Sequence, residues 1–265
     1  MLKISIITPS YNQASYIKEC LLSIKCQNYP NVEHIVVDGA STDGTVGVLK
    51  HYSELPGWGH LRWISEPDSG QTDAINKGLK LATGDILAYL CADDAYAPGA
   101  FHFANEFFQQ HSEADMVYGE CHFIDEAGKV VRRKKAVPFQ KSRLRRMNFM
   151  WQPTIFFRAE VWSRVGLFNA NLHFAMDYEY WLRASAVCRI VPVDRHLAYY
   201  RWQADSKTVS KNRQQLREVY EVATKFGGGG LRSWYLLCVY WPATASLKRW
   251  IFSRLVGVRL LGWHP

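Results

Sequence analysis

An α/β fold with a mostly parallel central sheet flanked by helices is predicted by three features of this sequence. Apolar runs of strand length recur, segments of helical pattern separate them, and polar residues gather at the end of each run. The runs are "KISIITP", "VEHIVVDG", "LRWISEP" and "DILAYL", a βαβαβαβ series. Right-handed crossovers then make the sheet parallel, with ligands expected beyond the carboxyl ends of its strands.

Each strand end is chemically distinct. The first run closes on Thr8-Pro9-Ser10-Tyr11-Asn12, the second on Asp38-Gly39-Ala40-Ser41, the third on Glu66-Pro67-Asp68-Ser69-Gly70 and the fourth on Cys91-Ala92-Asp93-Asp94. The last three of these ends carry carboxylates. A dinucleotide fold would place G-x-G-x-x-G after its first strand, where backbone approaches a pyrophosphate. That pattern is absent from the sequence.

After about Asp115 the pattern shortens. Gly128 marks a turn between Cys121–Ile124 and Val130–Val131, and a basic stretch from Arg132 to Arg146 follows without an intervening acid. "MDYEYWLRASAV" has helical spacing, Ser210 to Phe226 reads as another helix, and Gly227 to Gly230 breaks the chain. The expected division is a domain over 1–225 and a basic, aromatic, helical C-terminal extension over 226–265.

The 265 residues, 48% of them hydrophobic, are enough for a sizeable core, and the net charge of +8 favours anionic partners. No zinc-finger spacing or RNA-recognition signature accompanies that charge, so nucleic acid is not an expected partner. Six scattered cysteines without a C-x-x-C pair point to a reducing compartment. The chain passes from Met1-Leu2-Lys3 straight into a strand with no secretory leader pattern, so a cytoplasmic location is expected. Beyond Glu221 there is no acid, and tryptophans mix with Lys248, Arg249, Arg254 and Arg259. That mixture suits peripheral attachment to an anionic membrane surface, on the inner face of the cell membrane; a core-packing helix with a solvated basic face is the alternative.

Two carboxylate motifs carry chemistry. Asp38 ends a strand and opens a small-residue turn, where an acceptor oxygen can read the N–H edge of a base; an Asx turn capping the next helix explains the same residues. Asp93 and Asp94 end an apolar strand side by side, and a divalent cation relieves the repulsion between them. Helix capping before Pro98 is the alternative there.

"SIITPSYNQ", "VVDGASTDGT", "SEPDSGQTDAINKGLKLATGDILAYLCADD" and "MDYEYWLR", in this order and spacing, resemble the family 2 glycosyltransferases of bacterial polysaccharide and cell-envelope glycan synthesis. The resemblance spans approximately residues 3 to 210 and implies the GT-A fold. It also implies an inverting transfer of sugar from a nucleotide-sugar donor to a glycan or lipid-linked acceptor, assisted by Mg²⁺ or Mn²⁺.

Residue by residue, the resemblance places Pro9 and Tyr11 beside the donor base, Asp38 and Asp68 at the donor, Asp93 on the ribose and Asp94 on the metal. Cys91, Met176 and Gln203 depart from the family pattern, and Cys91 leaves open which of Asp93 and Asp94 is the inner-sphere ligand. Asp177 aligns with the general base, because an acceptor hydroxyl must lose its proton as it attacks an anomeric carbon. Helix capping is the alternative role for Asp177, as it is for Asp73 and Lys77 in the loop that closes over the donor sugar in the family. Gln152, in "WQPT", and Trp181 fall on the acceptor side; Trp181 also suits a core position, and Arg183 a structural ion pair. Two other functions fit parts of the pattern: a metal-dependent nucleotidyltransferase, which has no need of Asp177, and a nucleotide-sugar or glycan-binding protein without turnover, to which the three departures point.

Overall fold

The computed structural model describes residues 1–202 and 212–228. Strands β1 (Ile4–Ser10), β2 (Val32–Asp38), β3 (Leu61–Ser65) and β4 (Ile86–Tyr89) are joined by helices α1 (Ile17–Lys25), α2 (Thr45–Glu54) and α3 (Gln71–Leu81). These four strands run parallel in the order β3-β2-β1-β4. The chain builds outward from β1 through β2 to β3 and then places β4 on the other side of β1. A crevice therefore opens at the carboxyl ends of β1 and β4.

Beyond β4 the pairing becomes mixed. Short β5 (Ala95–Tyr96) precedes helix α4 (Ala100–Gln110), then the long β6 (Met116–Ile124) and β7 (Val130–Lys134). Helix α5 (Lys141–Leu144), a 3-10 turn at Gln152–Thr154, β8 (Phe156–Arg158), α6 (Ala159–Val165), α7 (Met176–Val187), β9 (Ile190–Arg201) and α8 (Asn212–Lys225) complete the described chain. β8 pairs antiparallel with β4 and β6, β7 with β6 and β5 with β9, whereas β6 and β9 are parallel. The parallel series expected from the sequence is thus one half of a mixed sheet.

Alternation along the strands divides the core. Ile7, Leu87 and Tyr89 face a cluster that includes α3, α6, α7 and α8, while Ile4, Ile6, Ile86, Ala88 and Leu90 face α1 and α4. Both faces of β1 and β4 are covered, which is why their sequences read as continuous apolar runs. Helix α3 lies close on β1 because Gly78 has no side chain: a Cβ there would stand 2.3 Å from Ile7 Cγ2.

The turn after β6 forms at Gly128, whose φ of 81° is left-handed. The helical reading of "MDYEYWLRASAV" matches α7 residue for residue. The five described cysteines are free thiols. No helix among the described residues is long and apolar enough to cross a membrane. Gln203 and the basic aromatic segment from Trp234 to Trp263 lie outside the described residues.

Candidate active site

The loops after β1 and β2 are laced together. Asn12 N–H donates to Ser41 Oγ at 2.8 Å, Thr42 N–H to Asn12 Oδ1 at 3.0 Å and Ala14 N–H to Asp43 Oδ2 at 2.9 Å. Asn12 and Ala40 both hold left-handed backbone, with φ of 52° and 61°. For alanine that conformation costs roughly 1–2 kcal/mol. The strain falls where the two strand ends meet. Tyr11 projects from this junction at 63% exposure, while Pro9 is buried within β1.

Asp38 is wholly buried and accepts hydrogen bonds from Ser41 N–H (2.8 Å), Ser41 Oγ (2.5 Å) and Ser65 Oγ (2.7 Å). A carboxylate offers about four acceptor positions, so about one remains for a ligand. The Asx-turn geometry of Asp38 is therefore present, and it leaves about one acceptor position open. The half-buried Asp68 lies against Gly39, where a Cβ would stand 2.8 Å from Asp68 Oδ2. Gly39 is thus the one residue type that lets this carboxylate reach the β2 turn. Asp73 and Lys77 serve the α3 loop itself: Asp73 accepts Ser69 N–H at 3.1 Å, and Lys77 pairs with Glu66 at 2.8 Å and Asp73 at 3.6 Å.

At the end of β4, ligand atoms of Cys91, Asp93 and Asp94 all lie within 4.8 Å of one another. Burial pushes the Asp94 carboxyl well above the usual carboxylate range and the Asp93 charge pushes it further, against the opposing pull of Arg201 N–H at 2.9 Å. Adjacent carboxylates in this state fit a hard divalent cation, since neutralising them relieves both costs. The soft Cys91 thiol suits such an ion poorly. It accepts from Gln71 Nε2 at 3.2 Å and lies 3.9 Å from Gln152 Oε1. The two aspartates are unequal: Asp94 is 2% exposed with one oxygen held by Arg201, whereas Asp93 is only half-buried. Asp93 is therefore the more accessible of the two carboxylates.

Asp177 occupies the second position of α7, one residue past the start at Met176, so it is not the N-cap. Its carboxylate accepts Tyr178 N–H at 2.7 Å and Asn148 Nδ2–H at 3.2 Å, yet burial outweighs both and raises the group to about 6. Burial deep in the core pushes the Tyr89 hydroxyl well up, and the charges of Asp177, Cys91 and Asp94 push it further. Gln152 closes the same region by donating from Nε2 to Tyr89 O at 2.6 Å. The segment from Asn148 to Gln152 therefore connects Asp177 with the Asp93–Asp94 cluster.

Trp181 contradicts its expected acceptor role. It is completely buried, at 6.1 Å and 85° to Phe168 and 5.4 Å and 86° to Tyr180, so no sugar ring can reach it. Tyr178 to Leu182 are all buried, so this stretch of α7 lies within the core on every side. Trp181→Ala is expected to cost about 3–5 kcal/mol in urea unfolding, with acceptor affinity of the folded variant unchanged. Met176 is likewise a core residue. Arg183 forms the structural ion pair, with Nε 3.0 Å from both Glu179 oxygens.

Four supporting residues escaped the sequence reading. Arg201, 1% exposed, donates from Nε to Asp93 O at 2.9 Å and from Nη1 to Asp125 O at 2.8 Å, and it pairs with Glu19. Its signal was the segment "YYRWQ", similar to a Tyr-Arg-x-His stretch of the family, in which only Gln203 drew attention. Gln71 and Asn148 carried none. Glu218 on α8 accepts the backbone N–H groups of His173 (3.0 Å), Phe174 (2.7 Å) and Ala175 (2.9 Å). The N-cap residue Ala175 has no capping side chain, so this distant carboxylate caps α7 instead. Glu218→Ala is expected to lower stability by about 1–2 kcal/mol and to reduce kcat more than donor affinity, as measured by unfolding and initial-rate assays.

Residues 5–164 match the family described as Glycosyl transferase family 2. An uncharacterized glycosyltransferase of Rickettsia felis is 28% identical over 202 residues, covering 72% of this chain and 32% of the relative. One from Mycobacterium tuberculosis (strain ATCC 25618 / H37Rv) is 28% identical over 238 residues, covering 86% and 87%. The chain thus spans about a third of the Rickettsia relative and most of the mycobacterial one. Among solved structures, S. aureus TarS 1-349 in complex with UDP-GlcNAc superposes with TM-score 0.66 at 20% identity, covering 96% of this chain and 71% of that one. The mannosyltransferase PcManGT from Pyrobaculum calidifontis, in complex with GDP-Man and Mn²⁺, gives 0.68 at 18%, covering 96% and 75%. The architecture is therefore the GT-A fold, and the chain belongs to glycosyl transferase family 2.

Proposed function

We propose that this protein transfers a sugar from a nucleotide diphosphate sugar to a glycan or lipid-linked acceptor, with inversion at the anomeric carbon. The observation that carries the reading is Asp177, a carboxylate raised to about 6 beside the strand end that bears Asp93 and Asp94. A base of that strength is deprotonated at neutral pH and still accepts a proton readily. As the acceptor hydroxyl attacks, its oxygen forms the new bond to the anomeric carbon, its proton passes to Asp177, and the bond to the diphosphate breaks on the opposite face.

Tyr11 and Asp68 would flank the donor base with one remaining contact from Asp38, and Pro9 would back Tyr11 from within β1. Asp93, with Asp94 beside it, would hold Mg²⁺ or Mn²⁺. When bound, that cation neutralises charge on the departing diphosphate. Gln152 would shape the acceptor side from its place on Tyr89 O. A nucleotidyltransferase has no use for Asp177, and the base-like state of this residue favours glycosyl transfer over that alternative and over a binding protein without turnover.

A thermal-shift screen of nucleoside diphosphates and nucleotide sugars, with and without Mn²⁺, tests the donor site. At ligand concentrations near 100 times Kd, stabilisation of about 2.7 kcal/mol is expected, and it should depend on the cation. No response to any base or sugar would overturn the reading.

A further inference from the structure

The hairpin of β6 and β7 carries an aromatic and cationic shelf that the donor site does not use. Phe123 is its centre. The ring of Trp151 meets it edge-on at 4.8 Å and 88°, Tyr200 lies at 5.1 Å, and Trp202 stacks parallel at 6.2 Å and 18°. Trp202 is 40% exposed and is held by its own N–H, which donates to Ile124 O at 2.8 Å. Lys134 Nζ lies 5.7 Å from the Trp151 ring, and Arg132 is the β7 partner of Phe123. Both cations are half-buried, and among the described residues neither has a carboxylate within ion-pair distance.

This shelf adjoins the reacting groups through the chain itself. Trp151 is bonded to Gln152, whose side chain caps Tyr89 O, and lies three residues from Asn148, which holds Asp177. Trp202 follows Arg201, which binds Asp94 and the Asp93 carbonyl. An aromatic face suits the apolar face of a pyranose ring, with the polar rim of the sugar left to hydrogen-bonding partners. Unmatched cations beside such a face, already desolvated in part, favour an anionic substituent on that ring. Arg133 alternates onto the opposite, more exposed face of β7, so the charge at Arg132 and Lys134 belongs to the aromatic side.

We infer that Trp151, Trp202, Arg132 and Lys134 form an acceptor subsite for an anionic sugar residue bearing a carboxylate or a phosphodiester. The inference rests on the transferase reading of the neighbouring carboxylates.

Calorimetric titration of the full chain, with nucleoside diphosphate and Mn²⁺ present, tests it with three probes: trigalacturonic acid, its methyl ester, and a trimer of glucose units joined by phosphodiesters. An anionic probe is expected to bind at least about tenfold more tightly than the uncharged ester, and Lys134→Gln and Trp202→Ala are each expected to weaken it about tenfold. Nucleoside diphosphate affinity should be unchanged in both variants. Tight binding of trigalacturonate alone identifies a carboxylate ligand, and of the phosphate trimer alone a phosphodiester. The inference is overturned if the ester binds equally well, if neither variant weakens binding, or if neither anion binds a chain that binds nucleoside diphosphate. Binding of the anions through Lys134 by a chain that binds no nucleoside diphosphate would instead overturn the transferase reading and retain the shelf.

Discussion

Asp177→Asn is expected to lower kcat by about 10²- to 10⁴-fold, the contribution of a positioned general base, while the affinity for nucleotide sugar stays within about twofold of the parent. The amide keeps an acceptor oxygen for Tyr178 N–H, so α7 should hold its shape. What it loses is the capacity to take the acceptor proton. The parent enzyme should lose activity as pH falls through about 6, tenfold per unit, because protonation removes the base.

The same burial makes Asp177 a cost to the fold. Its folded-state value lies above the usual carboxylate range, so its protonation stabilises the folded protein fully below about 4 and that contribution is lost as pH rises through about 6. At pH 7 the ionised group therefore destabilises the protein. After discounting for its partial exposure, removal of the charge should recover about 1–2 kcal/mol, raising Tm by about 2–6 °C. A variant that is inactive and also more heat-stable than the parent separates loss of a base from loss of structure.

Asp93→Asn should abolish the cation-dependent part of donor binding and reduce transfer by about 100-fold or more, since the cation supplies several kcal/mol of charge stabilisation. Titrations of nucleoside diphosphate with and without Mn²⁺ measure this directly. Asp94→Asn should weaken the cation response less and stability more, because Asp94 is buried and holds Arg201 N–H. Replacing Asp93 also removes one of the influences that raise Asp94. The opposite ranking, with Asp94→Asn the more damaging to cation binding, would return the ligand role to the second aspartate.

Strands and helices with a strong period were legible in the sequence. The four runs that became β1 to β4, the Gly128 hairpin and the span of α7 all followed from apolar spacing and turn chemistry. The mixed pairing beyond β4 did not, because β8 and β5 are only three and two residues long and take their place from tertiary contacts. Within the site, side-chain type identified the carboxylates, but their rank depended on burial. Asp38, Asp94 and Trp181 all look available in one dimension, and folding covers all three. Arg201, Asn148 and Glu218 act across gaps of 107, 29 and 44 residues, distances over which no local pattern speaks.

The proposed transfer is a single displacement in which Asp177 serves as base and no carboxylate forms a bond to the sugar. Proton NMR of the first sugar released from an α-linked nucleotide sugar, with water as acceptor, tests it most directly. Inversion gives the β-anomer as the initial product, appearing before mutarotation and slowed by Asp177→Asn. Initial release of the α-anomer would show retention and contradict it.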